Sequence, residues 1–295
     1  MARRSSKTGP TLTVPATFAE VLEQVEPRPD ELAERKAKKN YAEALSNRAA
    51  VWLAAKLRKF REFHGILPNP DGTGRETRVA SGKTRKPKKT DVRFSTADTG
   101  LELLVSVKTY SFRDPRTIKE TGEVVLGRYS KNMVRNDHEL RAEAMDLHER
   151  FPYAVVIGVM FIPFRACDDA KGKNGISSFA AAVMTFRARA GRRKPTEPNQ
   201  LLERMFIALY ESEGPTKGEV YFFDVEDRPP RQRRPASLKS EEEFIQEVVK
   251  AYGVRNKTYI EFADEIPGAP LLQHPEADED AEGDDDEGEE DHGAP

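Results

Sequence analysis

The chain of 295 residues contains a single cysteine, Cys167. One thiol excludes an internal disulfide and any zinc site built mainly from cysteine, and it fits a reducing compartment; its simplest role is that of a small packed residue. No run of eighteen apolar residues occurs, so no uninterrupted apolar helix spans a bilayer. The basic start Met1-Ala2-Arg3-Arg4 leads into Ser, Lys, Thr and Pro rather than an apolar signal segment. A cytoplasmic location without a membrane partner is therefore expected. No internal repeat is present.

Positive charge is what the C-terminal end lacks: between Glu276 and Asp291 there are twelve Asp or Glu and no Lys or Arg. Because the formal net charge of the whole chain is -2, everything before that segment carries about +10. A basic body implies a polyanionic partner. The acidic segment has almost nothing apolar to bury and is expected to be disordered, serving as a solubilising appendage or as an electrostatic mimic of nucleic acid. A hydrophobic content of 37% is enough for the rest to build a core.

The order of elements follows from periodicity. Residues up to about Glu26 read as loosely ordered, with structure starting near Asp30. From Tyr41 to Phe63, Leu45, Ala49, Trp52, Leu53, Leu57 and Phe60 recur at steps of three and four, predicting a helix that Pro68, Pro70 and Gly72 close. A short strand is expected within 75–81, then the basic loop 83–89, then a hairpin of Thr90–Phe94 and Leu103–Thr109 around the turn Ala97-Asp98-Thr99-Gly100. A further small hairpin is expected around Gly122. Asn136 with Glu139 resembles a capping box, opening a helix to about Arg150. The apolar run Tyr153–Ile162 between Pro152 and Pro163 predicts a buried strand. Beyond it lie a helix near 177–189, apolar strands at 204–210 and 220–225, and a helix at 240–252. Between these last strands and helix lies the stiff basic loop Arg228-Pro-Pro-Arg-Gln-Arg-Arg-Pro235.

The hairpin carries the chemistry. If Thr96 pairs with Leu101 across the turn, Asp91 comes beside Ser106, with Lys108 one diagonal step away, while Val105 and Val107 face a core. A carboxylate can hold a divalent cation and an ammonium can orient a water or steady developing charge, which is phosphodiester-cleaving chemistry. Burial beside the sheet could also lower the Lys108 pKa and make it a base. The basic loop enters this region, so Lys83, Arg85, Lys86, Lys88 and Lys89 are placed to neutralise phosphates, with Arg75, Arg78 and Arg93 adding to them. Arg128, Lys131 and Arg135, and the 228–234 loop, are the candidates for reading bases.

These residues resemble the PD-(D/E)xK nuclease superfamily, whose restriction-endonuclease-like core runs helix, strand, strand, strand, helix, strand. The resemblance spans about Tyr41 to Ile162. It implies that Asp91 begins the second core strand as a metal ligand, that Lys108 ends the third, and that a Glu on the first helix joins them, for which Glu43 is the local candidate with Glu34 behind it. Where that family usually has an acid two residues before the lysine, this chain has Ser106. The implied cofactor is Mg²⁺, held by Asp91, Glu43 and the Val107 carbonyl, with Ser106 limited to hydrogen-bonding a metal-bound water.

The expectation is thus an α/β protein: a flexible basic segment (1–28), a nuclease core (29–163), an α/β extension of that core (164–265) and the acidic tail (266–295). The expected activity is a Mg²⁺-dependent endonuclease acting on double-stranded DNA, in restriction or antiviral defence against mobile elements, as a homodimer or with a partner protein. Ser106 leaves open a non-catalytic nucleic-acid-binding subunit. An endonuclease subunit of a transposase is the other reading.

Overall fold

A computed structural model describes residues 13–74, 78–79, 88–129, 133–170, 172 and 175–264, with side chains described except at 78, 79, 88 and 257–264. The chain divides after Thr258 into two compact units, and every element except the end of the last helix lies in the first.

The expected apolar run becomes β7 (Val155–Pro163), buried at all nine positions. A strand covered on both faces must sit between other strands and beneath helices on either side. β7 does so, pairing in parallel with β4 (Gly100–Thr109) on one flank and β8 (Arg204–Tyr210) on the other. The edges are closed by β3 (Val92–Thr96), antiparallel to β4, and β9 (Val220–Asp224), antiparallel to β8. The result is a mixed five-stranded sheet of order β3-β4-β7-β8-β9, which places the protein in the α/β class.

Period-two alternation splits the core into two. Leu103, Val105 and Val107 of β4 join Val155, Ile157, Val159 and Phe161 of β7 on the face covered by α1 (Phe18–Glu23), α2 (Arg35–Leu57) and α5 (Glu241–Asp264). Leu104 and Tyr110, with Val156, Met160 and Ile162, face α3 (Met133–Arg150) and α4 (Ser178–Arg187). Gly158 keeps that second layer close: a Cβ there would meet Met205 Sδ at 2.3 Å.

The N-terminal region is better ordered than its composition suggests. Thr17 caps α1 by accepting from the Glu20 N–H, and Phe18, Val21 and Leu22 are buried, Phe18 stacking on Phe161 at 5.1 Å. Three apolar side chains at helical spacing override the surrounding polar residues. The long helix starts earlier and ends earlier than its apolar repeat indicated, at Arg35 and Leu57, followed by a 3₁₀ turn at Arg61–Phe63. The Asp30 carboxylate accepts from the Leu32 N–H in a turn before the helix, and Glu34 holds the N-cap position without a side-chain bond. Asn136 and Glu139 lie inside α3, which begins at Met133, so they form no capping box.

Of the expected first core strand the described residues are β1 (Arg78–Val79), paired with β2 (Lys88–Lys89) in a ribbon separate from the five-stranded sheet. A second ribbon, β5 (Pro115–Thr117) with β6 (Val124–Leu126), turns near Gly122 at φ +69° as expected. Since β7 pairs with β8, the expected extension continues the sheet of the expected core. Within the basic N-terminal segment, residues 1–12 lie outside the described residues, as does the acidic tail. No described helix is long and apolar enough to cross a membrane. Cys167 is fully buried, and burial pushes its thiol pKa up.

A buried ionic knot ties the layers together at the start of β7 and β8. The Glu203 carboxylate accepts from the Val156 N–H at 2.7 Å, from Arg192 at 3.0 Å, from Arg255 of α5 at 2.9 Å and contacts His148 Nε2 at 3.2 Å. Burial alone would raise the Glu203 pKa; the His148 contact, the Val156 N–H and Arg255 outweigh it and hold it below 4.5. A depressed folded-state pKa contributes stability that is complete above the unfolded value and is lost as pH falls through the folded one, so this contribution disappears in the acid range below about pH 4.5. Replacing Glu203 by Gln leaves two arginines without their shared counter-ion. Urea unfolding is expected to show a loss of about 3–5 kcal/mol at neutral pH, with a smaller difference from wild type in acid.

Candidate active site at the end of β4

The β3–β4 hairpin reaches the expected arrangement by an unexpected route. At the turn the register is one residue off the expected one, with Thr96 opposite Gly100 and Ser95 opposite Leu101. Carried along the strands, that register would put Asp91 opposite Val105 and turn it toward the apolar layer. A bulge intervenes: Phe94 pairs with Leu103, leaving Glu102 without a partner across the strands. From there Arg93 pairs with Leu104 and Val92 with Val105, which brings Asp91 beside Ser106. The bulged Glu102 is held by hydroxyls, accepting from Thr96 at 2.6 Å, from Thr99, and from Tyr252 of α5 at 2.5 Å.

Asp91 Oδ2 accepts the Val107 N–H at 2.8 Å, so the acid closes the open end of β4 where β3 has run out. Ser106 is completely buried, and its hydroxyl donates to Glu143 Oε2 at 2.7 Å. Lys108 Nζ lies 3.7 Å from the same oxygen. Glu143 comes from α3, and its side chain is only 12% exposed. A second carboxylate is thus brought to this end of β4 by α3, beside Ser106 and Lys108.

The electrostatics follow from that geometry. Burial alone would lower the Lys108 pKa, but the charges of Glu143, Asp91 and Glu139 outweigh it and hold the ammonium above its ordinary value. Lys108 is thus a fixed cation at neutral pH, which corrects the expectation that desolvation could turn it into a base. The Ser106 proton is committed to Glu143, which leaves its hydroxyl only as an acceptor, and the side chain is completely buried.

Glu43 does not join this group: its side chain is 61% exposed and pairs with Lys39 at 3.4 Å on the solvent face of α2. The α2 residue that does reach β4 is Ser46, one turn on, whose hydroxyl donates to the Val107 carbonyl at 3.2 Å. Thr109 reinforces the same contact by donating to the Ala42 carbonyl at 3.0 Å. The Val107 carbonyl, expected as a metal ligand, therefore already spends one acceptor position on the helix.

The expected phosphate contacts divide. Lys83, Arg85, Lys86 and Lys131, with Arg75, lie outside the described residues, and Lys88 and Arg78 are described only as strand backbone. Lys89 is exposed on the ribbon. Arg93 has a pKa lowered by burial alone, with no carboxylate of the site contributing. Arg128 is engaged by the Ile176 carbonyl and by Asp169 at 3.7 Å, and Arg135 pairs with Glu139 at 2.7 Å. The 228–234 loop is pinned to the start of α4, the Ser177 N–H donating to the Arg231 carbonyl at 2.7 Å and Arg234 lying over Phe164 at 4.3 Å.

Glu143 was the residue missed by sequence reasoning, though a signal existed. Glu139 and Glu143 are a like-charge pair four residues apart on one helix, which is unfavourable unless cations lie beside them. Arg135 answers Glu139, and Lys108 answers Glu143. Among the described residues, no three His, Cys, Asp or Glu side chains gather at metal-ligand spacing.

Removing the Glu143 charge tests this description. In Glu143→Gln the Lys108 pKa is expected to fall toward or below 10.5, its ordinary value, read from the pH titration of ¹³C-dimethylated lysine signals; an unchanged titration refutes the pairing. Comparisons with protein-family models, with curated proteins and with solved structures return no match for this chain.

Proposed function

We propose that the protein is a phosphodiester-cleaving enzyme that acts on DNA with a divalent cation, in the manner of the PD-(D/E)xK nucleases that its hairpin resembles. The observation that carries this reading is the convergence of two acids from different elements, Asp91 and Glu143, on the single β4 segment Ser106–Lys108, with the lysine kept charged beside them.

The donor set suits a hard cation such as Mg²⁺, which takes oxygen ligands, needs only one or two carboxylates and keeps several waters. Asp91, Glu143 and the Val107 carbonyl are the groups that would hold it. Bound there, the ion supplies a Lewis acid for a phosphoryl oxygen. The chain's own contributions are distinct. Lys108, unable to accept a proton near neutral pH, stabilises negative charge on the phosphoryl group electrostatically. Ser106 fixes the Glu143 rotamer, and Ser46 with Thr109 fixes β4 against α2, so that the acids meet the substrate without reorganisation.

The basic balance of the chain outside its acidic segment supports a nucleic-acid substrate. Restriction or defence against mobile elements, and an endonuclease subunit of a transposase, are the settings this chemistry fits. Against the contrasting reading, a binding subunit without activity, stands the acid Glu143 brought beside position 106.

Plasmid incubated with Mg²⁺ and the protein is expected to be nicked or linearised. Asp91→Asn, Glu143→Gln and Lys108→Met should each lower the rate by about a hundredfold or more, since each removes a charged group aimed at the reacting phosphate. Glu43→Gln should stay within about twofold, a contrast that separates Glu143 from the helix acid the resemblance implies. Tight binding without cleavage by the wild type refutes the enzyme reading.

A further inference from the structure

The carboxyl ends of the parallel strands β4, β7 and β8 open onto a corner crowded with hydrogen-bond donors, and the crevice beyond such strand ends is where open α/β sheets receive ligands. Arg28, just before α2, ion-pairs with Glu31 at 2.7 Å, donates to the Ser111 carbonyl at 2.9 Å and lies over the Phe112 ring at 4.7 Å. The Arg113 N–H donates to Glu31 at 2.8 Å, but its guanidinium has no carboxylate partner among the described residues. Arg165, just past β7, pairs with Glu213 at 2.8 Å, and Arg28 approaches the same carboxylate at 3.3 Å. All three guanidiniums act on one buried phenol, that of Tyr129: burial and Glu31 push it up, to about 12, against the pull of Arg113, Arg28 and Arg165.

Donors exceed acceptors here. Two buried guanidinium nitrogens of this corner, Arg28 Nε and Arg113 Nε, have no hydrogen-bond partner among the described residues, while the Ser111 and Tyr210 hydroxyls face each other. Ser111 is 2% exposed and Tyr210 is fully buried. Buried donors left unpaired cost free energy, so a pair of them calls for an acceptor-rich group. Arginine forks match phosphate oxygens in pairs. Glu213 already imitates such a group: it sits on the β8–β9 turn, is 47% exposed, and bridges Arg28 and Arg165 as an anion would.

We propose that Arg28, Arg113 and Arg165 form a phosphate-binding subsite that the Glu213 carboxylate fills in the free protein and yields to a backbone phosphate of the nucleic acid. The source of the phosphate rests on the nuclease reading. Ser111 lies three residues past Lys108, about 10 Å along an extended chain. At a rise of about 3.4 Å per nucleotide, one strand therefore reaches both places within a few nucleotides.

The sign of the Glu213 effect makes the proposal testable. Anisotropy of a fluorescein-labelled 20-base-pair duplex, measured in EDTA so that no cleavage occurs, is expected to show binding weakened about tenfold in Arg113→Gln and in Arg165→Gln. Glu213→Gln should tighten it severalfold, a gain that vanishes in the Arg165→Gln/Glu213→Gln double variant. A merely structural role would make Glu213→Gln neutral or weakening, and either result overturns the subsite. Melting temperatures taken in parallel exclude unfolding; Arg165 and Glu213 are each about half exposed, so their replacement leaves the core intact. If millimolar inorganic phosphate stabilises the wild type and not Arg113→Gln, while the duplex distinguishes none of the variants, the subsite takes free phosphate and the nucleic-acid source is overturned. Plasmid cleavage is read separately: the expected anisotropy pattern without cutting keeps the subsite and discards the nuclease, and cutting without the pattern does the reverse.

Discussion

The complete burial of β7 is the constraint on which the rest depends. A nine-residue strand with no exposed position forces strands onto both its flanks and helices onto both its faces, and so leaves charged groups only the edges and ends of the sheet. The candidate active site and the arginine corner both lie at the same end, where β4, β7 and β8 stop. The Glu203 knot at the opposite end shows another use of charge: there His148, Arg192, Arg255 and the Val156 N–H converge on one buried carboxylate and tie the layers together.

How much of this was legible in the sequence depended on how local each cause was. β7, β8, α4 and the Gly122 turn were readable because apolar periodicity and turn residues act over a few neighbouring positions. α1 was not, because Phe18 finds its partners, Trp52, Phe161 and Tyr210, far along the chain. The short first strand was readable in place but not in pairing: β1 joins β2 in a ribbon outside the main sheet. Helix ends also escaped, since α2 starts without a side-chain cap and α3 begins before the residues that resembled one.

At the candidate site, Asp91, Ser106 and Lys108 were legible because a hairpin is a local object with a period of two. The right neighbours were nevertheless derived from the wrong turn register, and the bulge at Glu102 repaired the difference. Glu143 was hidden because its approach depends on where α3 packs, which no spacing within the helix specifies. Glu43 faces away from the apolar stripe of α2, which is the direction of solvent; the residue that touches β4, Ser46, sits at the boundary of the stripe. Polar groups that serve a buried site tend to lie at such boundaries, where a helix is neither dry nor wet.

The hydroxyl of Tyr252 on the bulged Glu102 joins the last helix of the first unit to the first hairpin of the sheet. Because the bulge decides which side of the sheet Asp91 faces, α5 acts as a splint for a strand 150 residues earlier in the chain. The side of the sheet on which Asp91 lies is thereby tied to the docking of α5, a dependence that runs backward along the chain from one of its last described elements to one of its first strands.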